Sequence, residues 1–200
     1  MLGGRNASND DTERTLTSVR DMDVQLIGRI ARQDLRAFEE LYRTYQPRLT
    51  RFLKNMLRSA PLVEEVLDDT MLVVWNKPDR YNGKSKVSTW IFAIAYRKAL
   101  KALRRHDEPI EDHAAETRES EEAGPEQQLG QRQVQQALLS AIGELSHEHR
   151  TVLDLTYYHG AGYREIAEIM ACPVDTVKTR MFHARRRLKT KLSGELADWL

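Results

Sequence analysis

Residues 163–188 read YREIAEIMACPVDTVKTRMFHARRRL, a short amphipathic run, a three-residue break at Ala171-Cys172-Pro173 and a longer basic run. This is helix-turn-helix patterning. Small Ala167 permits close approach of two helices, Ile166 and Met170 fall on the inward face, and Pro173 suits the first turn of the second helix, where a missing N–H costs nothing. At about 100° per residue, Val174, Val177, Met181, Ala184, Leu188 and Leu192 form one apolar stripe, and Asp175, Thr176, Thr179, Arg180, His183, Arg186 and Arg187 point away from it. From Lys178 to Lys191 there are seven basic residues and no acid. Such a helix suits a major groove with phosphates on either side. Asp175, Thr176, Thr179 and Arg180 are the candidate base readers. Lys178, Arg185, Arg186 and Arg187, on the flanks or deeper along the helix, are candidates for phosphate.

Upstream of this motif the apolar residues also recur at three and four spacings, which predicts an all-α chain. Helices are expected over Asp23–Arg32 and Leu35–Tyr45, broken at Gln33 and Asp34, with Pro47 opening a third that runs to about Arg58. Ser59-Ala60-Pro61 separates it from a helix over Leu62–Asn76. A loop over Lys77–Val87 follows, and Ser88 is placed to cap a helix ending near Arg105. Beyond it, Leu129–Leu145, His147–His159, Tyr163–Met170 and Val174–Leu192 supply a second helical unit.

The whole chain has 31 basic and 30 acidic residues, a net charge of +1. That balance conceals a strong asymmetry. Residues 21–106 carry 17 Lys and Arg against 10 Asp and Glu, residues 107–130 carry one against nine, and residues 163–200 carry eight against five. The chain is basic, then acidic, then basic, which points to two separate surfaces that meet anions. The acidic stretch, poor in large apolar residues, cannot bury enough surface to fold and reads as a flexible linker. The expected organisation is therefore a disordered tail over 1–21, a helical domain over 22–106, a linker over 107–125 and a second helical domain over 126–200.

The first domain has its own cationic helix. Within Trp90–Arg105, Arg97, Lys98, Lys101, Arg104 and Arg105 share an arc of about 120°, opposite Ile91, Phe92, Ala95, Tyr96, Ala99, Leu100 and Leu103. No acid occurs from Tyr81 to His106, and Tyr81, Trp90, Phe92 and Tyr96 lie among the cations. Aromatics beside cations suit single-stranded nucleic acid, each stacked base contributing about 1–3 kcal/mol. The same spacing equally serves a core, the simpler reading for Phe92 and Tyr96; Trp90, on the basic side, fits either. The preceding helix puts Val63, Val66, Leu67, Thr70, Met71 and Val74 on one face and Glu64, Glu65, Asp68, Asp69, Leu72 and Val73 on the other. An acidic face with exposed apolar residues is either a docking surface for a basic protein or a solvated face against the neighbouring loop.

Other classes find little support. The single cysteine, Cys172, excludes an internal disulfide and a thiolate metal cluster, and no apolar run approaches the roughly 20 residues of a membrane span. The first twenty residues lack the apolar region of a secretory signal, so a cytoplasmic location is expected. His147 and His149 form an isolated pair, and Glu64-Glu65 and Asp68-Asp69 have no His or Cys at ligand spacing. No catalytic residue, metal or cofactor is expected.

The stretches AFEELYRTYQPRL (37–49), VEEVLDDTMLVVW (63–75), VSTWIFAIAYRKALKALRR (87–105) and LSHEHRTVLDLTYYHGAGYREIAEIMACPVDTVKTRMFHARRRL (145–188) together resemble the extracytoplasmic-function (group 4) sigma factors of bacterial RNA polymerase. The first three look like sigma domain 2 and the last like sigma domain 4. The resemblance implies that the acidic helix docks on the clamp helices of the polymerase's largest subunit through Glu65, Asp68, Asp69 and Leu72. It implies that the loop captures a flipped minus-ten base through Tyr81, Asn82 and Lys84, with Ser88, Thr89, Trp90 and the cations from Arg97 to Arg105 supporting strand opening. The helix-turn-helix would then read the minus-thirty-five element. An anti-sigma partner is also implied. Asp68 and Met71 stand where the family commonly has Gln and Phe. Ala171 replaces a frequent Gly, a tolerable change if the turn avoids positive φ.

Relaxed, a linker of 107–130 would span only about 27 Å, and stretched about 80 Å. The two promoter elements lie roughly 70 Å apart, so it should be drawn out in the complex. The other class consistent with these residues is a one-component helix-turn-helix regulator that binds operator DNA as a dimer, unaided.

Overall fold

The computed structural model describes residues 21–57, 59–105 and 138–192, and every regular element among them is helical. The helices fall into two compact units, the first built mainly from residues up to Arg104 and the second mainly from those after it. The expected linker, and residues 1–20 of the expected tail, lie outside the described residues.

In the first unit, α1 (residues 21–30) buries Leu26, Ile27 and Ile30. Gln33 ends it in the left-handed region, at φ 63°. Asp34 then caps α2 (Leu35–Met56): its Oδ1 accepts from Ala37 N at 3.2 Å, and its Oδ2 receives Arg29 at 2.9 Å. The Ala37 amide, and then Arg29, hold the Asp34 carboxyl below its usual range. The expected break at Gln33 and Asp34 is present.

The expected break before Pro47 is not. Residues 35–56 form one helix with Pro47 inside it. The reason lies in the phase of the buried side chains: Ala37, Leu41, Tyr45, Leu49, Phe52, Leu53 and Met56 keep a single stripe through the proline. Pro47 and Arg43, four residues earlier, are both exposed. The carbonyl that loses its amide partner therefore sits on the wet side, where water can replace it.

Helix α3 (Ala60–Asn76) starts two residues earlier than expected, with Pro61 in its first turn, where no amide is missed. It buries the predicted apolar face, and Thr70 joins that face because its hydroxyl donates to Val66 O at 2.7 Å. A short 3-10 turn (Pro78–Arg80) leads into the loop. Helix α4 (Val87–Arg105) starts one residue before Ser88, which therefore sits inside the first turn rather than capping it. From Ile91 to Tyr96 six consecutive residues are buried, so the start of α4 is enclosed on every side. Phe52 meets Phe92 edge to face at 5.1 Å, and the small Ala95, Ala99 and Ala102 are buried further along.

In the second unit, the described part of α5 (residues 138–143) precedes α6 (His147–Tyr157), whose N-cap Ser146 accepts from His149 N. His159 N donates to Asp154 O at 3.3 Å, tying the end of α6 to the following turn; the buried side chains of the two residues approach to 3.2 Å, and Gly160 adopts φ 61°. Helices α7 (Tyr163–Met170) and α8 (Val174–Lys191) follow, and α8 packs on α6 through Val177, Met181, Ala184 and Leu188.

Pro47→Ala restores a backbone donor, a gain of up to about 3 kcal/mol. It also loosens the unfolded chain by about 1 kcal/mol. The expected net effect is stabilisation of the first unit by about 2 kcal/mol, read as a higher urea midpoint by tryptophan fluorescence.

Candidate nucleic-acid interfaces

Helix α8 begins at a turn whose backbone is under strain. Gly162 N donates to Glu165 Oε2 at 2.9 Å near the start of α7, and Cys172 N donates to Ala167 O at 3.0 Å at its end. Between them Ala171 has φ 51°, so the turn does not avoid positive φ; the tolerance expected for alanine here is corrected by a Cβ held in the left-handed region. Pro173 is the N-cap rather than the first helical residue. With φ −60° and ψ 148°, it lets its carbonyl accept from Thr176 N and Val177 N.

Beyond this turn Asp175 and Thr179 are exposed and Thr176 and Arg180 half-exposed. Thr179 Oγ1 donates to Asp175 O at 2.9 Å, and Lys178 reaches Asp175 at 3.0 Å, an exposed pair of little energetic weight. Arg180 Nη1 lies 3.7 Å from Cys172 Sγ. Arg186 and Arg187 face solvent, but Arg185 does not stand out with them: its Nη2 donates to Tyr157 Oη at 2.6 Å and its guanidinium lies over the Tyr157 ring. Arg185 thus fastens α8 to α6, a contact that helical spacing alone could not reveal. His149, read from sequence as half of an isolated pair, faces Ser146 Oγ at 2.9 Å and the His183 ring at 6.4 Å. Burial, and then Arg187, push its pKa down. Among the described residues no group of His, Cys, Asp and Glu could hold a metal ion.

The loop before α4 is organised by its own side chains. Tyr81 Oη donates to Ser85 O at 2.7 Å, Asn82 Oδ1 accepts from Lys84 N at 3.0 Å, and Gly83 takes φ 73°. The Tyr81 ring meets Trp90 at 5.5 Å, with Trp90 half-exposed and Asn82 and Lys84 exposed. Phe92 and Tyr96 are core. Thr89 is only 4% exposed, so it does not belong with the residues that face a strand: it lies in line with Phe92, Ala93 and Tyr96, on the buried side. Ser88 is half-exposed and lies near the buried Tyr45 phenol, whose hydroxyl donates to Asp23 at 2.5 Å, with the Arg48 guanidinium 5.3 Å from the Tyr45 ring. Burial, and then Asp23, raise the Tyr45 pKa, while burial raises that of Asp23 against the pull of Tyr45 and Arg48. The Tyr45–Asp23 bond ties α2 to α1.

Further along α4, Arg97, Lys101, Arg104 and Arg105 are exposed. Lys98 differs, since its Nζ lies 2.8 Å from Asp69 Oδ2 on α3. On α3 itself Glu65 and Asp68 are exposed and Leu72 is 54% exposed. The Phe38 ring of α2 meets Trp75 of α3 at 5.2 Å and Tyr42 at 6.2 Å, tilted in both pairs. The sequence reading missed this α2 contribution, although the spacing of Leu35, Phe38 and Tyr42 signals a second apolar stripe on α2. Burial and the nearby Asp68 raise the Tyr42 pKa.

Both units match known families. Sigma-70 region 2 matches residues 41–108 and Sigma-70, region 4 matches residues 135–188, together more than half of the chain. The chain belongs to the sigma-70 family, in its extracytoplasmic-function branch. It is 28% identical to the RNA polymerase sigma-H factor of Pseudomonas aeruginosa over 188 residues, covering 89% of this chain and 97% of that one. The ECF RNA polymerase sigma-E factor of Haemophilus influenzae is 28% identical over 180 residues, or 85% of this chain and 95% of that one. Among solved structures, CnrH in complex with the cytosolic domain of CnrY matches with TM-score 0.62 and 22% identity, over 84% of this chain and 96% of that one. The sigma factor RpoE in complex with the anti-sigma factor NepR from Bartonella quintana matches with TM-score 0.64 and 22% identity, over 79% and 98%. These structural likenesses concern the fold.

In this sigma factor the strained turn is a local liability that glycine relieves. Ala171→Gly is expected to stabilise the second unit by about 1 kcal/mol, the cost of a left-handed alanine. Thermal unfolding with a raised midpoint would show it; a lowered midpoint would mean that the Ala171 methyl packs usefully.

Proposed function

We propose that this sigma factor reads a promoter at two places and docks on core RNA polymerase at a third. Residues 22–106 act as sigma domain 2 and residues 126–200 as sigma domain 4, joined by the acidic segment 107–125. As a sigma factor the chain is a transcription initiation factor: it selects where the polymerase starts and leaves the chemistry to the polymerase. The observation that carries the residue-level reading is that each unit exposes cations on one helix while burying the opposite side of that helix: α4 through Arg97, Lys101, Arg104 and Arg105, α8 through Lys178, Arg186 and Arg187.

In domain 4, Asp175, Thr176, Thr179 and Arg180 sit in the first two turns of α8, the part of a recognition helix that meets base edges, and Lys178, Arg186 and Arg187 meet phosphates. In domain 2, Tyr81, Asn82 and Lys84 form a self-braced loop beside half-exposed Trp90. An unstacked minus-ten base would enter there and stack on the aromatic rings, offsetting the few kcal/mol that flipping costs. Ser88 and Thr89 act from below, positioning the start of α4. The acidic face of α3, with Glu65, Asp68, Asp69 and Leu72, would meet a basic polymerase surface: the carboxylates steer the approach and the apolar residue adds burial.

An anti-sigma factor is the second expected protein partner, in keeping with CnrH and RpoE, each solved with a bound partner. No helix among the described residues is long and apolar enough to cross a membrane, and the site of action is wherever core polymerase works.

Adding the purified chain to core polymerase should yield promoter-specific transcripts that neither component gives alone. Tight, polymerase-independent binding of a duplex site would instead favour a one-component regulator. Within the reconstituted system, Arg180→Ala is expected to change preference at one upstream base pair by about 1–3 kcal/mol. Lys101→Ala should weaken promoter use across sequences and shallow its salt dependence. A uniform loss across upstream sequences for Arg180→Ala would remove it from the base readers.

A further inference from the structure

The acidic face of α3 and the basic face of α4 meet at Lys98 and Asp69. Lys98 Nζ and Asp69 Oδ2 are 2.8 Å apart, joined across 29 residues of sequence, with their side chains 27% and 47% exposed. On the function proposed above, this contact pairs a group that meets the polymerase with a group that meets nucleic acid. We propose that the Asp69–Lys98 ion pair is a latch: in the free chain it withholds the Lys98 ammonium from DNA, and a cationic group of the polymerase arriving at Asp69 releases it.

The physical case rests on what surrounds each partner. A half-exposed pair is weak and open to competition. A cation approaching Asp69 also meets Asp68, one residue away on the same helix, so the acidic face offers an incoming charge more than Lys98 alone receives. A phosphate approaching Lys98 likewise meets Arg97 and Lys101, both exposed on the same stretch of α4. Each partner therefore gains a better counter-charge when polymerase and DNA are both present. While Lys98 is neutralised by Asp69 it displaces no counterion from a phosphate and adds nothing to the salt-dependent part of binding. Because such coupling is reciprocal, DNA held by α4 should also favour docking at α3.

The full chain is titrated against a short fluorescein-labelled single-stranded DNA of random sequence, by anisotropy at several salt concentrations. Asp69→Asn is expected to tighten binding roughly fourfold at about 0.15 M salt and to steepen the salt slope by about 0.7, the signature of one added contact to single-stranded phosphate. Asp68→Asn removes the same charge from the same face without freeing Lys98, so it should leave the slope unchanged. In a Lys98→Met background, Asp69→Asn should no longer steepen it. Equal responses to Asp68→Asn and Asp69→Asn, or an Asp69→Asn effect that persists with Met at position 98, would overturn the latch. Lys101→Ala separates the two levels of argument. If it weakens binding while Asp69→Asn behaves like Asp68→Asn, the latch alone is wrong. If it leaves binding unchanged, α4 is not a nucleic-acid face, and the latch falls with that reading.

Discussion

One helix in this chain has to be both the centre of a core and a cationic surface, and the rest of domain 2 is arranged around that demand. The first half of α4 is enclosed on all sides from Ile91 to Tyr96, while its second half exposes Arg97, Lys101, Arg104 and Arg105. Burial of the first half fixes the helix in rotation and along its axis, through Phe52 against Phe92 and the close-packed alanines. The cations of the second half are then presented in one direction, because the helix cannot roll to disperse them. A cationic helix held only by its own propensity would be marginal in water and would spread its charge over many orientations. The Tyr45–Asp23 hydrogen bond continues the same logic between α2 and α1, where polar groups bond inward rather than toward solvent.

The departures from local preference fall where the surroundings over-determine the backbone. Pro47 persists inside α2 because the side chains before and after it share one buried stripe, so breaking the helix would cost more packing than the lost hydrogen bond. Gln33 and Ala171 both sit at positive φ, each at a sharp change of direction between two helices whose positions are set by buried residues. In the helix-turn-helix, Ile166 and Met170 before the turn and Val177 and Met181 after it are all buried, with Ala171 between them at φ 51°.

Much of this architecture was legible in the residues, for reasons that can be traced. The stripe from Val177 to Leu188 on α8 and the face from Val63 to Val74 on α3 are long, regular repeats, and a period of 3.6 is what helical packing imposes. The exposed cations of α4 followed from the same arithmetic. What could not be read were contacts between elements. Lys98 with Asp69, Arg185 with Tyr157 and Phe38 with Trp75 each join different helices, and helical spacing says nothing about which faces meet. Pro47 departed for the opposite reason, a local cue that tertiary packing overrode, and Thr89, placed at the opened DNA strand by the family resemblance, is buried by the same packing.

The charge distribution ties these points together. With one net positive charge, the chain as a whole has little long-range attraction for DNA, yet residues 21–106 carry seven more cations than acids. Attraction that is local rather than global decays within about a Debye length, some 8 Å at physiological salt. Such a surface holds DNA only once something else has brought the two close. Near-neutrality overall, with cations clustered on the exposed faces of α4 and α8, favours recognition on an already assembled complex over independent search along the duplex.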